Sequence, residues 1–272
     1  MKDRCVIKIG GSVLKDDSIL PYIRDIILHF EKPVVVVSAF SGITDALYRL
    51  YERRECREER LRDLLLMHLG MLHKYQIKAD LHILPGSGGI EDEESYVAFG
   101  EKMSAFTLAS YLTGNGIPAA PVYTDEAGIV VNDASWGREV DIDGSKAFYR
   151  NIARIERNGR IPVVTGFFGA DQLGNTRILG RNSSDYSAVA IAAILGIRNV
   201  ILIKDVPGIY LNLGDRTSLV SRMDYDTALR IINGGSRVVH EAAIKLAMKK
   251  GINLVITSLE TIDHGTFIGD PF

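Results

Sequence analysis

Short apolar runs rich in β-branched residues alternate along this chain with longer stretches whose apolar positions recur at helical spacing. Residues 6–9, 34–38, 119–123, 161–165, 200–203 and 253–256 predict strands. Several of these runs are almost wholly apolar, as expected when helices cover both faces of a sheet. Between them, residues 20–30, 58–75, 96–115, 145–157, 185–195 and 236–250 predict helices. Gly116, Gly159, Gly196 and Gly251 follow four of these, where a helix C-cap falls. This βαβ rhythm predicts an α/β fold with a mainly parallel sheet. Two stretches interrupt it. "YERRECREERLRDLLLMHLGMLHKY" is charged, then apolar at helical spacing, and reads as an amphipathic helical insert. "GSGGIEDEESY" (residues 86–96) reads as a loop leading into a helix. Without an internal repeat or a Pro/Ser-rich linker, the 272 residues read as a single two-lobed domain.

Composition narrows the function classes. Hydrophobic residues make up 46% of the chain, enough for a sizeable core, and the net charge is −2 without a long basic block. That pattern speaks against a nucleic-acid-binding stripe and against a polybasic membrane patch. No apolar run approaches the roughly 18–20 residues of a membrane span. The N-terminus enters a strand directly, without a signal-peptide core. Cys5 and Cys56 do not resemble a disulfide framework or a zinc site. The expectation is a soluble cytoplasmic protein with no nucleic-acid partner, no membrane contact and no protein-held metal.

Against this background one residue is anomalous. In "CVIKIGGSVL", Lys8 interrupts an apolar run just before Gly10, Gly11 and Ser12. Glycines at a strand end let backbone N–H groups approach an anion, and a lysine beside them neutralises phosphate charge. The spacing is not that of a P-loop, so the cradle is either of another kind or an ordinary turn beside an edge lysine. In "ILGRNSSDYSAVAIAAIL", Ser183, Ser184 and Asp185 stand at a helix start, where they either cap free N–H groups or attract and organise a ligand. Arg181 is suited to a bidentate pair with a carboxylate.

Other candidates lie near strand ends, where ligands bind open α/β sheets. "KDVPGIY" places Asp205, a Pro-Gly turn and Tyr210 after the strand at residues 200–203, as a nucleotide edge or a tight surface turn. "NGGSRVVHEAAIKLAMKKG" offers a second anion site with Arg237 in the first helical turn, or simply a Ser-capped helix. Ser38, Ser41, Gly42 and Thr44 follow the second strand and suit a small polar substrate. Glu101 interrupts an apolar helix. Facing inward, it needs a partner such as a substrate ammonium; facing outward, it is ordinary. Arg138 and Asp141 lie on a loop and carry less weight. His240 reads as a helix residue without a catalytic task. Neither an H-E-x-x-H nor a G-x-S-x-G motif is present.

In chain order, "VIKIGGSVL", "VVSAFSGIT", "FGEKMSAFTLASYL", "VTGFFGADQLGNTRILGRNSSDYSA", "KDVPGIY" and "GGSRVVHEAAIKLAMKKGI" resemble the aspartate kinase catalytic domain of the amino acid kinase family. The resemblance covers residues 6 to about 255 and includes the helical insert. It implies a three-layer αβα sandwich around a mainly parallel central sheet. An amino-acid-binding lobe would span about residues 1–165 and an ATP-binding lobe about 166–272. It also implies transfer of the γ-phosphoryl group of ATP, delivered with Mg²⁺, to the β-carboxylate of L-aspartate, giving 4-phospho-L-aspartate and ADP. By motif, Lys8 would stabilise phosphate charge and Asp185 would hold it in place. Ser38, Thr44, Glu101, Arg181 and Ser184 would bind the amino acid, with Glu101 on the α-ammonium. Gly10, Gly11, Ser12, Lys204, Asp205, Tyr210, Arg216 and Arg237 would meet ATP. A homodimer is the assembly the resemblance suggests. Since aspartate kinases typically continue into ACT regulatory domains and this chain ends at Phe272, feedback through such domains is not expected.

The chain also departs from the family pattern. Asn182 and Ser183 replace the glycines of the family's "GRGGSD" segment, Lys204 replaces a threonine, "LNLGDR" replaces an Asp-Pro-Arg loop, and Arg237 stands where a lysine is usual. These differences keep two other readings open. One is a related kinase for another small carboxylate or a phosphate acceptor. The other is a non-catalytic protein that binds a nucleotide or amino acid.

Overall fold

The computed structural model describes residues 4–53, 56–83, 90, 92–135, 137–211, 218–235, 238–262 and 264–270. In chain order the first half comprises β1 (Val6–Ile9), α1 (Leu20–Leu28), β2 (Val34–Val37), α2 (Ile43–Glu52), α3 (Arg57–Lys74), α4 (Glu93–Gly114), β3 (Ala119–Val122), α5 (Thr124–Ala127), β4 (Val131–Ala134) and β5 (Gly137–Val140). The second comprises α6 (Lys146–Arg157), β6 (Ile161–Thr165), β7 (Phe168–Ala170), β8 (Thr176–Ile178), α7 (Ser184–Leu195), β9 (Asn199–Lys204), β10 (Arg222–Met223), α8 (Tyr225–Asn233), α9 (Glu241–Lys250), β11 (Asn253–Ser258) and β12 (Thr266–Ile268).

Eight strands form the central sheet in the order β10-β12-β11-β9-β1-β2-β6-β3. All neighbours run parallel except β11 and β12. Successive side chains point to opposite faces, and the core divides accordingly. Ile7, Ile9, Val35, Val37, Ile201 and Ile203 pack with α1–α4. Val6, Val34, Val36, Val200, Leu202 and Leu254 pack with α6–α9. The result is the expected three-layer αβα sandwich. β1 lies between β2 and β9, reached by connections of opposite direction, so the carboxyl ends of these strands border a topological switch point.

The insert forms α3, whose Leu61, Leu64, His68 and Leu72 turn inward onto α4 at helical spacing. His68 Nδ1 lies 2.7 Å from Thr107 Oγ1, and burial lowers the ring pKa to about 3, so the imidazole is neutral. The helix expected to open at residue 236 begins instead at Glu241, with His240 as N-cap. Val238 and Val239 extend the apolar pattern without extending the helix. Gly116, Gly159, Gly196 and Gly251 all take positive φ at or just beyond helix ends, as C-cap glycines do.

Candidate functional site

Alternation along β1 explains how a lysine can sit in a buried strand. Lys8 shares the face of Val6, across which α7 lies. In register with it on β9 is Leu202, and two residues further, on the same face, comes Lys204. Both ammonium groups meet the second residue of α7, Asp185. Lys8 Nζ is 3.0 Å from Asp185 Oδ1, and Lys204 Nζ donates to Oδ1 at 2.9 Å and Oδ2 at 2.7 Å. The N–H of His240 donates to Oδ2 at 3.3 Å. Lys8 is 5% exposed and Asp185 3%. Burial alone would push the Asp185 carboxyl up, but the two lysines hold it well below the usual carboxylate range. Asp185 is therefore ionised throughout the neutral range.

The turn after β1 keeps this centre open. A Cβ on Gly10 would stand 3.3 Å from the Ile203 carbonyl and 3.4 Å from Lys8 Nζ, and one on Gly11 would stand 3.1 Å from the Ala39 carbonyl. Side chains there would fill the space an anion needs. Ser12 closes the turn by donating to Asp205 Oδ1 at 3.2 Å.

Glu101 comes from the opposite side. Gly100 lets α4 approach the chain after β2 so closely that a Cβ would lie 3.1 Å from Ala39 Cβ and 3.1 Å from Ile43 Cγ2. Glu101 is 2% exposed; Thr44 Oγ1 donates to its Oε1 at 3.5 Å, and its buried Oε2 has no partner among the described residues. Burial raises its pKa to about 8, opposed by the Ala39 N–H, Thr44 and Lys8. A cation arriving here would find a carboxylate with spare acceptor capacity.

A cavity of about 1480 Å³ unites these groups. Lys8, Gly10, Gly11, Ser12, Ser38, Thr44, Glu101, Arg181, Ser184, Asp185, Lys204 and Asp205 all line it. Single-ligand pockets are typically about 300–1,000 Å³, so there is room for two ligands side by side. Arg181 stands at the exposed mouth, donating to Asp45 Oδ1 at 3.0 Å with its guanidinium 5.3 Å from the Tyr48 ring centroid. Exposed ion pairs are worth about 0–1 kcal/mol, so Asp45 yields Arg181 readily to an incoming carboxylate.

Not every expected residue joins the cavity. Tyr210 bridges Leu219 and is not among the lining residues. Arg216 and Arg237 lie outside the described residues. Arg138 bonds Glu94 at 2.6 Å and the Ile178 carbonyl at 3.0 Å, and Asp141 accepts from the Gly144 N–H at 2.7 Å; both tie structure together away from the cavity. Asn182 has φ +61°, a left-handed conformation that asparagine tolerates better than most side chains, so it can take a glycine's place. Ser183 is buried, donates to the Phe167 carbonyl at 3.4 Å and does not line the cavity. Only Asn182 of the pair enters the ligand space. His240, read as having no catalytic task, touches Asp185 through its backbone N–H.

The sequence reading missed two parts of the lining. Asp45 and Tyr48 come from α2, and Ile232, Val238 and Leu246 add apolar lining from α8, α9 and the chain between them. The last three look in sequence like any packing residues; only their convergence on the cavity sets them apart. Lys245 and Lys249 of α9 line it as well. Among the described residues, no cluster of His, Cys, Asp or Glu could hold a metal, and no helix is long and apolar enough to cross a membrane.

Comparisons with known proteins agree with this architecture. An aspartokinase of Chlamydia muridarum is 24% identical over 97% of this chain and 63% of its own length. One from Thermus thermophilus is 32% identical over 62% of this chain and 42% of its own length. The chain thus spans under two thirds of these curated relatives. The crystal structure of E. coli aspartokinase III in complex with aspartate and ADP superposes with a TM-score of 0.78 at 23% identity, covering 99% of this chain and 65% of that one; this supports a shared fold. The amino acid kinase family itself matches residues 3–258, which include every cavity residue named above. On that match, the chain belongs to the amino acid kinase family.

Proposed function

We propose that the protein transfers the γ-phosphoryl group of MgATP to the β-carboxylate of L-aspartate. The observation that carries this reading is the polarity of the cavity. The buried Lys8–Asp185–Lys204 group lines the same space as Glu101, whose buried Oε2 has no partner among the described residues. Such a space suits a phosphoryl group beside an ammonium, and Arg181 adds a partner for a carboxylate. An α-amino acid bearing a second carboxylate supplies the ammonium and the carboxylate and leaves an acceptor oxygen for the phosphoryl group. Aspartokinases are among the relatives the chain resembles, and the related aspartokinase III structure holds aspartate and ADP.

The chemistry then follows from positioning. The acceptor carboxylate is already ionised at neutral pH, so no general base is required. Its oxygen forms a bond to the γ-phosphorus while the bond to the bridging oxygen breaks and the electron pair leaves with ADP. The obstacle is bringing two anions together, which Lys8 and the open Gly10–Gly11 turn relieve at the phosphoryl group. Asp185 holds Lys8 in place. Glu101 and Thr44 would position the ammonium end of the acceptor, with Ser38, Ser184 and Arg181 on its carboxylates. The apolar lining from Ile232, Val238 and Leu246 would take the nucleotide's base, and Ser12 and Asp205 would border its phosphates. In this reading residues 1–165 contribute most of the amino-acid site and residues 166–272 most of the ATP site. A cytoplasmic homodimer completes the proposal, supported by the family resemblance alone.

ADP release from MgATP across a panel of small acids tests the acceptor. L-Aspartate is expected to give the highest kcat/KM; a higher value with another acid would replace it. In the Arg181→Ala protein, the KM for aspartate is expected to rise about 10–100-fold, the equivalent of one charge-assisted hydrogen bond, while that for ATP changes less than about threefold. Equal changes in both would remove Arg181 from the acceptor site.

A further inference from the structure

We infer that Lys204 is a second catalytic lysine, which donates with Lys8 to the transferring phosphoryl group of a bound nucleoside triphosphate. The inference rests on the phosphoryl-transfer reading and adds to it a contact that the buried charges require.

One carboxylate neutralises one ammonium. Here two ammoniums meet Asp185, on side chains 6% exposed for Lys8 and 13% for Lys204. The floor of the cavity therefore sets two lysines against one carboxylate, and burial together with the charge of Lys204 disfavours the cationic form of Lys8 until an anion arrives. Glu101, the other buried carboxylate in the lining, is largely protonated at pH 7 and does not supply the missing charge. An uncompensated buried cation is costly unless an anion comes to it. If Lys204 served only to neutralise Asp185, it would be redundant, because Lys8 already does so at 3.0 Å.

Donor geometry points the same way. Each ammonium has three N–H groups. Among the described residues, both bond Asp185 alone, and both line the cavity beside the open Gly10–Gly11 turn. Their remaining donors are available to a ligand in that cavity. Because β1 and β9 are adjacent and parallel, the two lysines approach that space from neighbouring strand ends on one face of the sheet. A phosphoryl group in flight spreads negative charge over three peripheral oxygens, and two ammoniums hinged on one carboxylate can follow it from donor to acceptor. No proton moves: the carboxylate–phosphorus bond forms, the bond to the bridging oxygen breaks, and ADP leaves with the electron pair. Asp185 acts as a positioning residue for both lysines.

The test is the affinity for MgATP relative to MgADP, measured by calorimetry on the whole protein without any acceptor. Lys204→Met is expected to weaken MgATP binding about tenfold or more while leaving MgADP within about twofold. Lys204→Arg, which keeps the charge, should retain part of the preference, and Lys204→Gln, which removes the charge with a polar side chain, covers the case in which the methionine protein does not fold. In turnover, Lys204→Met should lower kcat far more than it raises the acceptor KM. An unchanged MgATP-to-MgADP ratio in the folded Lys204→Met protein, or in Lys204→Gln when only that charge-free variant folds, would leave Lys204 as a counter-ion and overturn the inference. Loss of the MgATP preference in a protein that phosphorylates no aspartate would uphold Lys204 and overturn the acceptor assignment alone.

Discussion

Replacing Lys8 with methionine is expected to lower kcat roughly 10³-fold, the scale of losing a preorganised charge contact to a transferring group. The cause lies in the strand. Lys8 is fixed by β1, by the packed face around Val6 and by Asp185, so its ammonium needs no reorganisation as charge develops. Methionine fills a similar volume without the charge. The fold should survive, because Asp185 keeps Lys204 at 2.7 Å and is not left as an unpaired buried anion. The expected signature is therefore lost turnover with little change in the thermal unfolding midpoint. Turnover at the wild-type rate in a folded Lys8→Met protein would remove the lysine from the mechanism.

The second large effect concerns Glu101 and carries a pH signature. Its folded pKa is about 8 against an ordinary 4.5, so the empty protein at pH 7 mostly holds it protonated. An ammonium ligand prefers the carboxylate, so binding must expel that proton. Each pH unit below 8 then costs about 1.4 kcal/mol of affinity, and the aspartate KM should fall about tenfold per unit as pH rises from 6 to 8. Glu101→Gln should abolish the slope and raise KM roughly 100-fold. Stability should move in the opposite direction. Because the folded pKa is raised, Glu101's contribution is fully present below pH 4.5 and is lost as pH rises through about 8. Glutamine does not titrate, so the variant's stability should lack the fall that wild type shows between about pH 4.5 and 8. An aspartate KM independent of pH over this range, or a glutamine variant that binds aspartate normally, would contradict the role given to Glu101.

How legible these features were in the sequence depended on whether a residue broke its local pattern. The strands at residues 6–9 and 161–165 occupy their expected bounds because helices cover both faces and leave a mostly apolar run in each, with Lys8 and Thr165 as the polar members. α2 went unread because Leu47 is its only buried residue and its first turn carries Thr44 and Asp45, which look like loop chemistry. α8 buries only Tyr225 and Ala228, although Asp224 accepting from the Thr227 N–H is a capping signal that could have revealed it. The β4–β5 and β7–β8 hairpins are short, and polar residues interrupt their alternation.

The site followed the same logic. Lys8 and Glu101 stood out as charges inside apolar runs, and Asp185 as an acid at a helix start. Lys204 was visible as a departure from a family pattern, but its bond to Asp185 depends on the register of β9 against β1 and on where α7 crosses them. No local signal carries that information. The Arg181–Asp45 pair joins residues 136 positions apart and was equally hidden.

The central claim is that the phosphoryl group moves onto a carboxylate, and trapping the product tests it most directly. Protein incubated with MgATP, L-aspartate and hydroxylamine should form aspartyl hydroxamate in step with ADP, and the Lys8→Met protein should form almost none. ADP release without hydroxamate, or hydroxamate that does not depend on aspartate, would contradict the account.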